Sequence, residues 1–416
     1  MTSSFAIFFC FALALTTGGR IWLNRRQAAH VQAHRARVPE RFATRITLAS
    51  HHKAADYTCA KARIGVLHLL AEAALLLALT LGGGLQQLHE FWSLHSSGIV
   101  YGIALIFSVT LLSSLIDLPF SLYHQFVVEA RFGFNRMTLA LFCSDLVKQT
   151  LLGVVLGAPV IATVLWLMAA MGERWWLYVW LFWCGFNLAL LFLYPTWIAP
   201  LFNKFAPLEE GAMKSRIEAL LHRCGFRSNG LFVMDGSKRS SHGNAYFTGF
   251  GDTKRIVFFD TLLARLQPGE VEAVLAHELG HFRHRHVVKR IALMFGLTLG
   301  LLWLLGQLIE APWFYAGLGV SGGNTALALV LFFLLIPVFS FPLSPAMSLL
   351  SRRHEFEADA YAASHADAGN LIEALVKLYD DNAATLTPDP LHSLFYDSHP
   401  PASQRIARLE ALGAGS

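Results

Sequence analysis

Residues 268–309 read PGEVEAVLAHELGHFRHRHVVKRIALMFGLTLGLLWLLGQLI. Pro268-Gly269-Glu270 is a helix start, with proline where no amide hydrogen is needed and an acid in the first turn. Nothing beyond it breaks a helix, so the pattern predicts one continuous helix from Val271 through the basic cluster Arg283–Arg290 into the apolar run Ile291–Ile309. His277 and His281 sit four positions apart and share a helix face, so both imidazoles can converge on one ion. Glu278 lies beside them, where it can take a proton from a bound water. The apolar run that follows is long enough to cross roughly 30 Å of hydrocarbon. A candidate hydrolytic metal helix therefore leads straight into a membrane span.

The rest of the chain agrees with a membrane setting. Of its 416 residues 55% are hydrophobic and only 15% charged, and its mean hydropathy of +0.47 is too high for a soluble protein of this length. Seven apolar runs qualify as spans: Phe5–Leu23, Ile64–Leu81, Ile99–Leu118, Leu151–Met171, Trp175–Leu193, Ile291–Ile309 and Ala326–Leu350. The first has no basic residues before it and no clear cleavage site, so it reads as a retained span rather than a signal peptide. Lys and Arg crowd the segment Asn24–Arg63 and are absent from Gly82–Gly98, and the alternation continues to the end of the chain. The amino terminus is then outside and the carboxyl terminus inside. The formal charge of +5 follows from these juxtamembrane residues, so nucleic acid is not an expected partner and membrane lipid is. Cys10, Cys59, Cys143, Cys184 and Cys224 make no CxxC pair, which points to neither a disulfide framework nor a thiolate metal site.

The one long polar stretch, about residues 200–290, reads as a helix over Met213–His222 and strands at Leu231–Met234, Ala245–Phe250 and Arg255–Phe259. Turns at Asp235-Gly236 and Gly251-Asp252 make a small antiparallel sheet the expected product. A catalytic zinc usually takes three protein ligands. The common extension of this motif needs Gly at position 284 and His at 287, where the chain has His284 and Val287, so the third ligand must come from elsewhere. Arg353-His354-Glu355-Phe356-Glu357-Ala358-Asp359 offers carboxylates at helical spacing just past the seventh run. The sixth span leaves the inner face and the seventh returns to it, so this segment and His281 fall on the same side of the membrane.

These residues resemble the integral-membrane zinc metallopeptidases of the Ste24 CAAX prenyl protease type, in the M48 family, and more distantly the HtpX-type membrane proteases. Beyond His277–His281 the resemblance includes Glu129 with Phe132-Gly133-Phe134-Asn135, Ile198–Phe205, Asn244–Gly249, Ser351–Ala360, and Ser398-His399-Pro400-Pro401 with Arg405. It implies a mainly α, polytopic fold of about seven transmembrane helices around a water-filled chamber, capped by the zinc-peptidase domain with its small sheet. It implies one Zn2+ per chain, with Glu355 rather than Glu357 as third ligand and Asp359 orienting a ligand. His399 and Arg405 match positions that hold the substrate carbonyl and stabilise the oxyanion. Asn244, Ala245, Tyr246 and Phe247 match the strand along which the peptide lies. The substrates implied are prenylated CAAX proteins or peptides, cut near their C-terminus, with the lipid in the membrane or chamber.

The expected organisation is spans one to five in residues 1–199 with a cytoplasmic loop at 24–63, a zinc-peptidase domain at 200–290, spans six and seven at 291–350, and the remainder of the catalytic domain at 351–416. The catalytic residues face the cytoplasm, at the inner membrane of a bacterium or an endoplasmic-reticulum-type membrane of a eukaryote. Three other functions fit parts of the sequence: a general quality-control protease of the HtpX kind, a non-catalytic scaffold, or a transporter built on the intramembrane His68, Glu72 and Asp117. His284 is a further candidate metal contact, whereas His30, His34, His51 and His52 read as solvated loop residues. Without the resemblance, Asn244–Gly249 is an ordinary edge strand and His399 a surface-loop residue.

Overall fold

The structure, a computed structural model, describes residues 2–248 and 254–414. The apolar half of the chain forms α1 (Thr2–Ala33), α2 (Leu48–Leu79), α3 (Gly84–His95), α4 (Gly98–Tyr123), α5 (Leu139–Ala170) and α6 (Trp175–Leu193). Then come β1 (Phe205–Pro207), α7 (Ala212–Arg223), β2 (Ser228–Met234), β3 (Ala245–Thr248), β4 (Lys254–Phe259), α8 (Asp260–Leu263) and α9 (Pro268–Arg283). The chain ends with α10 (His286–Leu308), α11 (Pro312–Ala316), α12 (Thr325–Ser340), α13 (Ser344–His365), α14 (Ala368–Asp381), α15 (Pro390–Tyr396) and α16 (Ala402–Gly413). Among the described residues seven helical segments are long and apolar enough to cross a membrane, as the sequence predicts, and the protein is a multi-pass integral membrane protein.

The spans form an open ring. Only 6–22% of each of the first six is buried, against 50% of the seventh, which packs on α1, α4, α5 and α10 as the central strut. The seventh segment is not one uniform helix: Pro337 lies inside α12, and a 3-10 turn over Phe341–Leu343 joins α12 to α13. Between the helices lies a cavity of about 1070 Å³ whose walls include Lys61, His68, Gln125, Asp145 and Asn203. A second, of about 810 Å³, reaches from Lys61 and Tyr57 to Asn244 and Tyr246.

Four sequence expectations are corrected, the last of them in the sheet. The segment 24–63 is a loop only over residues 34–47: α1 and α2 continue well beyond their apolar parts, because a helix outside the bilayer tolerates polar residues on its wet faces. Phe42 and Ile46 between them are buried in the core of the catalytic half, and His51 is buried too, its Nε2 3.0 Å from the His34 carbonyl oxygen. The helix carrying His277 does not run unbroken into the sixth span. Arg285, at φ 54°, stops it, and α10 starts anew at His286. The turn folds the His286 ring back onto His281 and Glu357, each at 2.9 Å, contacts that an uninterrupted helix would carry away from the site.

The sheet is mixed rather than antiparallel, in the order β1-β2-β4-β3 with β2 and β4 parallel. After β2 the chain leaves the sheet to seat Arg239 on Asp145, 2.8 Å away, and His242 near Glu129. It returns as β3, antiparallel to β4, so that β4 re-enters in the direction of β2. The expected strand over Ala245–Phe250 is described only to Thr248; Gly249, Phe250 and the turn Gly251-Asp252 lie outside the described residues. Two large hydrophobic cores result, beside a small third cluster of Ala54, Tyr57, Val128, Phe134 and Ala383. One lies among the spans, and the other, built from α7, β2, β4, α9, α14 and α16, holds α9 at its centre.

Candidate active site

The frame of the site is α9. Its start is locked by a capping box in which the Gln267 amide donates to Glu270 at 2.7 Å, and Lys377 of α14 donates to the same carboxylate at 2.6 Å. Val271, Leu275 and Leu279 are wholly buried, which fixes the rotation of the helix and turns His277 and His281 toward α13. Gly280, on the same side, makes the approach of α13 possible: a Cβ there would lie 2.8 Å from the Ala358 Cα. The residue is legible in the sequence as part of His-Glu-Leu-Gly-His, but its purpose is visible only once α13 is packed against it.

That close contact brings Glu355 of α13 to the two histidines. His277 Nε2 and His281 Nε2 are 3.2 Å apart, Glu355 Oε2 is 3.5 Å from the former and Glu355 Oε1 3.3 Å from the latter. Glu355 Oε2 is buried and has no hydrogen bond among the described residues. An uncompensated carboxylate oxygen in such a place is costly, and a cation between the three donors removes that cost. The site therefore fits a metal.

The ring nitrogens pointing away from this triangle are also engaged. Asp359, one turn beyond Glu355 and fully buried, lies 2.9 Å from His277 Nδ1. Burial disfavours the charged His277 ring, but Asp359 and Glu355 outweigh it and raise its pKa to about 9 in the metal-free site. His281 Nδ1 faces His286 Nδ1 at 2.9 Å, and His286 Nε2 reaches Glu357 at 2.9 Å. Each histidine of the triangle is thus backed by a carboxylate, one directly and the other through a second imidazole. Sequence reasoning missed His286, since only the break at Arg285 brings it back.

Arg405 of α16 is buried between the two acids. Its Nε and Nη2 donate to Asp359 at 2.9 and 2.6 Å, and its Nη1 lies 3.6 Å from Glu355. His399, in the loop before α16, is by contrast largely exposed, with Nε2 3.5 Å from Glu355 Oε1. Glu278 is half-buried and makes no hydrogen bond or ion pair among the described residues, as a group kept for substrate and water would. Among the described residues Asn244 to Phe247 lie at the edge of the sheet: Asn244 accepts from the Phe259 amide at 3.0 Å, and β3 pairs only with β4. His284 is not with the triangle but beside His286 and Glu357. Within the spans, His68 pairs with Asp117 at 2.7 Å and Arg20 approaches Glu72 at 3.6 Å, so these charges already have partners.

Comparison with known proteins covers most of the chain. Residues 27–204 match the family model described as CAAX prenyl protease N-terminal, five membrane helices, and residues 207–412 match peptidase family M48. A protein of Oryza sativa subsp. japonica called CAAX prenyl protease 1 homolog is 39% identical over 75% of this chain and 74% of its own. The Saccharomyces cerevisiae CAAX prenyl protease 1 is 38% identical over 72% and 70% respectively. The crystal structure of S. mikatae Ste24p superposes with a TM-score of 0.91 at 30% identity, covering 98% of this chain and 99% of that one.

Proposed function

The chain belongs to peptidase family M48, and from that membership we propose that this membrane-embedded metallopeptidase uses one Zn2+ to cut prenylated CAAX-type proteins or peptides near their C-terminus. The observation that carries the metal's identity is the donor triangle. Two imidazole nitrogens lie 3.2 Å apart, each within 3.5 Å of one oxygen of the same carboxylate, and this donor set is that of a catalytic zinc with one open position. His277, His281 and Glu355 are the ligands in this reading. Asp359 and Arg405 hold His277 and Glu355 in place.

When bound, Zn2+ supplies Lewis acidity to a water and to the scissile carbonyl. Glu278 does the proton work: its unpaired carboxylate takes a proton from the attacking water and returns it to the leaving amine. His399, exposed at the mouth, is the freer donor for the carbonyl oxygen as it gains charge. Arg405, with its donors committed to Asp359, contributes through the field it places behind Glu355. The peptide adds to the free edge of β3 along Asn244, Ala245, Tyr246 and Phe247, so that main-chain pairing sets its register. Residues 200–290 and 351–416 act together as the catalytic unit, on the cytoplasmic side. That sidedness is supported by the Lys and Arg bias of the connecting segments.

The test is hydrolysis of a farnesylated CAAX peptide, beside an unprenylated control, by detergent-purified protein and its Glu278→Gln variant, with zinc measured on both. The expected result is cleavage of the lipidated peptide alone, a loss of at least about a thousandfold in the variant, and zinc retained. Cleavage of both peptides would refute the requirement for a prenyl group, and an active variant would remove Glu278 from the mechanism.

A further inference from the structure

Lys61, in the interior of α2, lines both cavities at once: the larger one among the spans, and the one that opens onto residues 240–246 leading into β3. Its ammonium lies 3.9 Å from the centre of the Tyr57 ring, and among the described residues it has no hydrogen bond and no ion pair. The charged groups nearest to it hold partners of their own, on the walls in the case of Arg239 and behind them in the case of Glu129, whose charge Lys61 also feels. Arg239 is held by Asp145 and Asn203, and Glu129 by the Tyr57 hydroxyl and by His242 at 3.3 Å. His242 is fixed from its other side by Asn382 at 2.9 Å. An ammonium that faces two cavities and, among the described residues, has no hydrogen-bonded or ion-paired partner is open to an anionic group that enters them.

Strand direction says which partner. A peptide added antiparallel to β3 runs from Thr248 toward Ala245, and its C-terminal end then emerges past Asn244 and Gly243 into the cavity that Lys61 lines. A parallel peptide would present its amino terminus there, which an ammonium repels, and antiparallel pairing is in any case slightly the more stable. We propose that Lys61 is the receptor for the α-carboxylate at the C-terminus of the substrate, and that this contact sets how far from the chain end the cut falls. The inference rests on the reading that the peptide lies along β3 and is cut near its C-terminus. Three extended residues span about 10 Å, so a contact of this kind measures a short C-terminal piece rather than a long one.

The experiment compares two farnesylated peptides of identical sequence, one ending in the free acid and the other in the primary amide, with intact detergent-solubilised protein, Lys61→Gln and Lys61→Arg, zinc being measured on all three. The wild type is expected to cleave the acid with a KM about tenfold below that of the amide. Lys61→Gln should raise the KM for the acid to that for the amide, and Lys61→Arg should restore part of the preference. Equal KM values for acid and amide in the wild type would overturn the proposal while leaving the peptidase reading intact. So would a Lys61→Gln variant that keeps the preference, or one that loses activity on both peptides by the same factor. Cleavage of neither peptide by the wild type would overturn the substrate reading and the proposal together.

Discussion

At the residue scale, the tautomer of each proposed ligand is set by what lies behind it. With Nε2 of His281 turned toward the triangle, its Nδ1 carries the proton and donates it to His286 Nδ1, which leaves His286 Nε2 to donate to Glu357. Replacing His286 by Phe keeps the bulk and removes the acceptor. Zinc affinity, measured by competition with a chromogenic chelator, is expected to fall about tenfold to a hundredfold. A variant with unchanged affinity would reduce His286 to a packing residue. The chelator reads the metal site directly, so the result does not depend on turnover.

Two helix contacts matter at the element scale. Gly280 lets α9 and α13 approach until no Cβ fits between them, so Gly280→Val should push Glu355 away from the histidines. A cost of about 1–3 kcal/mol in stability is expected together with loss of bound zinc, measured by thermal unfolding and metal analysis. The second contact clamps α7 to α9: Arg216 and Arg223 both donate to Glu272, the latter at 2.6 Å. Burial by itself raises the Glu272 pKa, but the two guanidinium groups outweigh it and hold the carboxyl below its usual 4.5. Because the folded-state value is the depressed one, the stabilisation is complete above about pH 4.5 and disappears as pH falls through the folded value. Glu272→Gln should therefore unfold more readily than the wild type at neutral pH, and the gap should close on acidification. Equal stabilities at pH 7 would remove the clamp from the account.

For the whole molecule, the two large hydrophobic cores separate what the metal supports from what the membrane supports. The span core is built from Leu, Phe and Trp side chains that touch none of the proposed ligands, whereas α9 and α13 meet across the metal triangle. Removing zinc with a strong chelator should abolish hydrolysis and expose α9 and α13 to faster hydrogen exchange, while the helical content of the spans stays unchanged. A global loss of helix on chelation would show the two halves to be one cooperative unit.

The sequence alone determined the features carried by local pattern. These are the seven spans, whose lengths follow from bilayer thickness, the histidine pair of α9, whose spacing is the helix period, and the acid between them that we propose as general base. It also narrowed the third ligand to a short run of acids, because the order of the spans returns that run to the same side as His281. Tertiary structure alone decided which long-range partners meet. Gly280 against Ala358 sets Glu355 in the triangle, the break at Arg285 turns His286 back, and α16 drops Arg405 onto Asp359. The excursion of residues 235–244 made the sheet mixed, and the ring of spans left Lys61 facing a cavity. The physical reason is the range of the forces. Periodicity and capping act within a few turns of chain and are written in adjacent residues, whereas close packing and charge pairing join residues up to 369 positions apart here and exist only after the helices have packed.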